Sequence, residues 1–299
     1  MAVAVMFPGQ GSQQPGWGTR WKEDPAWSVV ERAEAALDRP LADLLLDSEA
    51  TLDRTEDAQL SVLLGSLVVW EALGSSLPKP VGFAGHSLGQ ITALLAAGAL
   101  PFDDGIRLAA RRARHTQEAA DRHPGRMAAL LGATLEQADE ACRAAPDACW
   151  LANDNAPGQV VVAGTPDGVE AAVEKARETG VRRATVLPVG GAFHTPLMEE
   201  ARAAFLEDLE DVEFSEPAAP IVSNGDARAY SGADGWPEKL ADHLVRPVRW
   251  RESVETLVAS GAGELIEVGP GTTLAGLARR IAPDATVQSL ERRYEEAGV

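Results

Sequence analysis

Gly85-His86-Ser87-Leu88-Gly89 sets a serine between two glycines. An apolar run precedes it at 81–84, and a helix-forming run follows at 90–97, closed by Gly98. That is the context of a G-x-S-x-G nucleophile elbow. A sharp strand-to-helix turn forces the central residue into a strained backbone conformation, and the flanking glycines leave room for neighbouring backbone. The Ser87 hydroxyl then stands at a helix N-terminus, and the Leu88 N–H is free to stabilise an oxyanion. The bland alternative is a Gly-rich turn with an incidental serine. A serine hydroxyl also needs a general base. Of the five histidines, His115 and His123 fall in an arginine-rich helix and at its end. His86 adjoins the serine, with ring and hydroxyl pointing different ways. His194 lies in a loop after a strand, where a rigid scaffold commonly presents catalytic groups. It is favoured over His243, which lies in a helical run. No third-member carboxylate stands out.

Several elements must position these groups. Residues 2–7 read as a buried strand and 8–13 as a Gly-rich loop. Apolar spacing predicts helices over 26–46, 57–74 and 103–121. A second rhythm begins near 123: strand 127–131, helix 134–145, strands 149–152 and 159–163, helix 166–179, strand 183–187. This βαββαβ order is that of a ferredoxin-like unit. The fold class is therefore α/β, with a larger domain over 1–122 and 189–299 and a small inserted domain over 123–188. Near the end, strand 264–268 leads through Gly269-Pro270-Gly271 into a helix reaching Arg280. The last ten residues are charged and read as loose.

Composition narrows the chemistry. The chain has 299 residues and a net charge of −18, so a general nucleic-acid footprint is set aside. The two cysteines, Cys142 and Cys149, exclude a disulfide scaffold or Cys-rich zinc site and suit a reducing cytosol. No His/Cys/carboxylate cluster has metal-ligand spacing. The glycine loops lack the third glycine of a dinucleotide fingerprint. The N-terminus is a poor signal peptide, and the richest apolar run, 91–100, is too short for a membrane span. A soluble cytoplasmic protein is expected.

Seven segments, in order from residue 7 to about 280, carry a family resemblance. They are Phe7-Pro8-Gly9-Gln10-Gly11-Ser12-Gln13, the elbow, Arg112 with Gln117-Glu118-Ala119, Asn153-Asp154-Asn155-Ala156-Pro157-Gly158-Gln159, Gly191-Ala192-Phe193-His194-Thr195-Pro196-Leu197-Met198, Arg246-Pro247-Val248-Arg249-Trp250 and Glu267-Val268-Gly269-Pro270-Gly271. Together they closely resemble the malonyl-CoA:acyl carrier protein transacylases and the acyltransferase domains of polyketide synthases.

The resemblance implies an α/β-hydrolase-like large domain with a ferredoxin-like insert, and a Ser-His dyad. Ser87 would be the nucleophile and His194 its base, oriented by the backbone carbonyl of His243. Oxyanion donors would be the N–H groups of Leu88 and Gln10. Arg112 would hold the malonyl carboxylate; spacing alone does not choose among Arg111, Arg112 and Arg114. Phe193, a bulky aromatic, resembles members that select malonyl. Gln90 stands where the family usually has Glu, which alters polarity near the site. Malonyl-CoA and an acyl carrier protein are the implied partners of a monomer. Coenzyme A thioester and phosphopantetheine thiol are substrate and acceptor, with no bound cofactor or metal. A basic patch for an acidic carrier would draw on Arg122, Arg126, Arg143, Lys175, Arg182, Arg183, Arg249, Arg251, Arg279 and Arg280. The alternatives are a trans-acting polyketide acyltransferase using another unit such as methylmalonyl, a carrier-thioester hydrolase, and a non-catalytic carrier-binding scaffold.

Overall fold

The apolar run at the N-terminus becomes an inner strand of a six-stranded sheet in the computed structural model, which describes residues 1–49, 52 and 54–297. We number the strands β1 (Val3–Phe7), β2 (Gly82–Gly85), β3 (Arg126–Leu131), β4 (Cys149–Ala156), β5 (Gln159–Gly164), β6 (Arg183–Val186), β7 (Ile221–Val222), β8 (Ala229–Tyr230), β9 (Glu264–Glu267) and β10 (Thr286–Ser289). The large sheet runs β10-β9-β1-β2-β7-β8, parallel except for β8. A parallel sheet must be covered on both faces, and β1 shows how. Val3, Val5 and Phe7 pack into the core that holds the Thr55–Leu73 helix. Ala4 and Met6 face the core that holds the Trp250–Ala259 and Thr273–Ile281 helices.

Thr55–Leu73 is apolar around most of its circumference and buried along most of its length. With the short turn after it, it has the length and composition to cross a membrane, which corrects the expectation that no run comes close. Here it is mostly buried inside the protein. The helix expected over 26–46 is also corrected. It divides into a 3-10 turn, Ser28–Leu37 and Asp43–Leu46. Asp38 takes a left-handed conformation (φ 48°), and Pro40 has no N–H to continue the helix. The Glu34 carboxylate accepts the Leu41 and Ala42 N–H groups instead, at 2.7 and 3.0 Å. The C-terminal segment is not loose over 290–297. It forms the Leu290–Ala297 helix, and its Glu291 accepts from the buried Trp17 and Trp21 indoles.

The second sheet is antiparallel, ordered β4-β5-β3-β6. Ala128 and Leu130 of β3 pack under the Leu135–Arg143 and Pro166–Glu178 helices. Met127 and Ala129 face the other way, toward Ala192 and Phe193. The strand expected over 149–152 runs on to Ala156, through two register irregularities. Asn153-Asp154-Asn155 reads as loop in sequence, but its backbone pairs with β5. Asn153 also bridges to Val248, outside both sheets in the segment before the Trp250–Ala259 helix, with Asp154 N–H on the Val248 carbonyl and Val248 N–H on the Ala152 carbonyl, both at 2.9 Å.

Two glycines decide whether β1 and β2 can end beside each other. A Cβ on Gly85 would lie 1.8 Å from the Gly89 carbonyl oxygen, and one on Gly89 would lie 2.2 Å from that of Phe7. Both atoms are backbone, so nothing flexible can yield. Gly85→Ala is expected to lose about 3 kcal/mol or more of stability, read by urea denaturation. A loss under about 1 kcal/mol would mean that the turn can relax.

Candidate active site

Ser87 sits at φ 53°, in the left-handed region that a residue with a Cβ enters only when its surroundings insist. Strand β2 and the Gly89–Ala96 helix enforce it from either side. The first loop closes over the turn: His86 N–H donates to the Phe7 carbonyl at 2.9 Å, and a Cβ on Gly9 would stand 2.5 Å from the His86 oxygen. Gln10 therefore reaches the same cleft as Ser87 and Leu88. The cleft encloses about 1020 Å³ open to solvent between the two sheets, with Met127 and Val161 of the small sheet opposite Ser87, His194 and Phe193.

His194 also has positive φ, 63°. Its loop is tied by the Thr195 hydroxyl, which donates to the Ala192 carbonyl at 2.6 Å. Its Nδ1 lies 2.8 Å from the His243 carbonyl oxygen, and its Nε2 lies 2.8 Å from Ser87 Oγ. A carbonyl only accepts, so Nδ1 carries the proton and Nε2 is left as an acceptor for the serine hydroxyl. Burial, followed by the nearby Arg112 charge, pushes the His194 pKa down to about 3. The ring is therefore neutral and basic in form at ordinary pH.

The other four histidines are placed apart from the hydroxyl. His243 offers its backbone, while its ring lies 4.8 Å from that of His194. His86 turns to Asn155 Oδ1, His115 to Asp208 and His123 to Glu200.

The three clustered arginines also separate. Arg111 pairs with Asp208, and Arg114 with Glu118. Arg112 is buried, and points Nη2 at Ser87 Oγ (3.0 Å) and Nη1 at Gln59 Oε1 (2.7 Å). Burial lowers its pKa to about 10, which leaves it charged at neutrality. Among the described residues it has no carboxylate partner.

Phe193 lines the cleft. Gln90 does not, which moves it out of the direct contact that an acyl-selecting residue needs. It is buried behind the turn, where its Oε1 accepts the Asn224 N–H at 3.0 Å. Among the described residues no group of three or more His, Cys, Asp or Glu side chains could hold a metal ion.

Residues 5–289 match the acyl transferase domain family. The chain is 38% identical over 285 residues to the malonyl CoA-acyl carrier protein transacylase of Bacillus subtilis, covering 93% of this chain and 90% of that protein. The chain belongs to the malonyl-CoA:acyl carrier protein transacylase family. Members of this family are acyltransferases, and so is this enzyme. An acyl-carrier-protein S-malonyltransferase from Bartonella henselae superposes with a TM-score of 0.93 at 35% identity, over 100% of both chains. Another solved structure, of a malonyl-transacylase in complex with its type II PKS acyl-carrier protein, superposes at 0.93 and 33% identity, over 99% of this chain and 100% of that one.

Three residues around the serine are not legible as such in the sequence. Gln59 is the one carrying a signal, a long polar side chain inside an apolar helix. Asn155 was quoted only as part of a motif. Asn224, whose Oδ1 accepts the Ser87 N–H at 2.8 Å, sits in Ser223-Asn224-Gly225-Asp226, which reads as an ordinary turn.

Burial lowers the pKa of His86, His194 and His243 alike. Unfolded, these rings bind protons near pH 6.5; folded, they resist. Their contribution to stability is therefore full above pH 6.5 and is lost as pH falls toward 3. The expected outcome is that the His194 ring protons keep constant NMR shifts between pH 8 and 5 while the melting temperature declines below pH 6.5. An inflection near 6.5 in the His194 signal would contradict its burial beside Arg112.

Proposed function

We propose that this acyltransferase moves a malonyl group from malonyl-CoA to the phosphopantetheine thiol of an acyl carrier protein, by a ping-pong mechanism through a malonyl-Ser87 ester. The observation that carries the acyl unit is Arg112: a buried guanidinium without a carboxylate partner among the described residues, 3.0 Å from the serine oxygen. A buried unpaired cation is costly, and a planar fork of donors suits a carboxylate. Malonyl brings that carboxylate when its thioester carbon reaches Ser87.

In the first half-reaction His194 Nε2 takes the Ser87 proton as Oγ attacks the thioester carbon. The oxyanion is held by the N–H groups of Leu88 and Gln10. Gly89, Gln90 and Ile91 donate back to the carbonyls of His86, Ser87 and Leu88 at 2.9, 3.1 and 2.9 Å. That leaves the Leu88 N–H at the open start of the helix, as helix geometry requires. The His243 carbonyl stabilises the imidazolium formed on His194, in place of a carboxylate. The C–S bond breaks, and coenzyme A leaves with the proton from His194. The carrier thiol then gives its proton to His194 as its sulfur attacks the ester carbon, the acyl C–Oγ bond breaks, and the ring returns the proton to Ser87 Oγ. Serine, histidine and arginine supply nucleophile, base and anion holder, so the reading needs no cofactor or metal. It describes a cytoplasmic monomer, with an α/β-hydrolase-like domain over 1–122 and 189–299 and a ferredoxin-like insert over 123–188 forming the other cleft wall.

Carrier docking calls for cations not already spent. Arg122, Arg143, Lys175, Arg249 and Arg251 each face a carboxylate. Among the described residues, Arg182 and Arg280 do not. Arg280 Nη1 donates to Gln159 Oε1 at the cleft edge (2.7 Å), and Arg182 packs over Gly132 beside the same turn. Arg182→Glu with Arg280→Glu is expected to raise the KM for an acidic carrier roughly tenfold by weakening docking. An unchanged KM in steady-state assays would remove this surface from the reading.

Intact-mass spectrometry after mixing with acyl-CoA tests the chemistry. Wild type is expected to gain a malonyl adduct that a holo carrier discharges, and Ser87→Ala to gain none. Arg112→Ala is expected to load malonyl about 100-fold more slowly, from loss of a charge-assisted pair, and to accept acetyl better. Free coenzyme A without adduct would point to hydrolysis instead. Methylmalonyl loaded in preference to malonyl would replace the acyl unit.

A further inference from the structure

We propose that Asn224 and Gln90 are positioning residues which hold Ser87 in its reactive backbone conformation through a closed ring of three hydrogen bonds. The proposal rests on Ser87 being the nucleophile. The Ser87 N–H donates to Asn224 Oδ1 at 2.8 Å, the Asn224 N–H donates to Gln90 Oε1 at 3.0 Å, and the Gln90 N–H returns to the Ser87 carbonyl at 3.1 Å. The ring grips both peptide units that flank the Ser87 Cα, so it constrains the φ of 53° directly. A side-chain amide can meet a backbone N–H only with its oxygen, so both amides have a single orientation.

That orientation has a cost. Asn224 and Gln90 are buried, and among the described residues Asn224 Nδ2 and Gln90 Nε2 meet no hydrogen-bond partner. Two buried unmet donors beside one serine call for an explanation, and the two acceptors opposite them supply it. A strained residue relaxes unless its surroundings over-determine it.

Asn224 is itself fixed. It follows β7, which pairs with β2 at Phe83↔Ile221 and Ala84↔Val222, and its carbonyl accepts the Arg249 N–H at 3.0 Å. The ring therefore ties the turn to the neighbouring strand. Gln90 lies outside the cleft and acts on the reaction only through Ser87. Glu at this position would keep the acceptor; an apolar side chain would not.

The test compares wild type with Asn224→Ala, Gln90→Leu, Gln90→Glu and the double variant Asn224→Ala/Gln90→Leu. Two rates are read by intact mass: malonyl loading from malonyl-CoA, and sulfonylation of Ser87 by phenylmethanesulfonyl fluoride. In the latter, Oγ–S forms as S–F breaks, fluoride leaves, and the serine proton passes to His194. Asn224→Ala and Gln90→Leu are expected to slow both rates about 10- to 100-fold, as misplacement of a reacting atom does. The KM for malonyl-CoA should stay within about twofold. Gln90→Glu should stay within about threefold of wild type, and the double variant should be no slower than the slower single one, because one ring is opened either way. Melting temperatures identify a variant that fails to fold; if Asn224→Ala does, the Gln90 pair still decides. Equal rates for Gln90→Leu and Gln90→Glu, or multiplicative losses in the double variant, would overturn the ring. A wild type that is sulfonylated but takes no malonyl would fail the malonyl reading alone, with the ring still judged by sulfonylation. One that reacts with neither reagent would overturn both.

Discussion

Ser87 occupies a backbone conformation that its own side chain disfavours, and much of the large sheet is arranged to keep it there. Strand β2 must end beside β1, so that His86 can donate to Phe7. Gly85 and Gly89 must lack side chains, because backbone fills the space a Cβ would take. The first loop must cross at Gly9, which carries Gln10 to the cleft. Each demand concerns backbone rather than side-chain chemistry. The turn is therefore over-determined by packing, and the reactive hydroxyl inherits its position from that packing.

Electrostatics divides the cleft into unequal parts. Burial of His194 beside the Arg112 cation drives the ring to its neutral form, with the His243 carbonyl holding the proton on Nδ1. Burial lowers the Arg112 pKa only to about 10, so it stays charged, and among the described residues it has no carboxylate partner. A neutral base and an uncompensated cation thus share one serine oxygen. An incoming carboxylate relieves the cation and lessens the penalty on protonating the ring. The Arg112 field lowers the proton affinity of His194, so an anion placed against the guanidinium would act on both groups.

Legibility in the sequence followed periodicity and local turn chemistry. Strands β1, β2, β3 and β5 and the Phe102–Arg122 helix were readable, because burial leaves apolar runs or a 3.6-residue stripe. Asp38 and Pro40 broke a helix whose apolar spacing continued past them. Asn153-Asp154-Asn155 looked like loop, since its strand pairing satisfies backbone whatever the side chains. The Leu290–Ala297 helix looked loose because its anchor, Glu291 against two tryptophans, spans some 270 residues of sequence.

The amino-acid sequence by itself determined the glycine-flanked serine turn, the loop histidine, a cluster of three arginines at 111, 112 and 114, and the family that unites them. These are local: a glycine–serine turn and a spaced motif are written in consecutive residues. Only the tertiary structure decided that Gln59 holds the arginine and that Gln90 faces Asn224 rather than the cleft; it also sets Arg112 against the serine and the His243 carbonyl against His194, which the family resemblance implied and residue spacing left open. Those choices depend on which side chains several separate elements turn toward one another. That is a matter of three-dimensional packing, and no spacing along the chain encodes it.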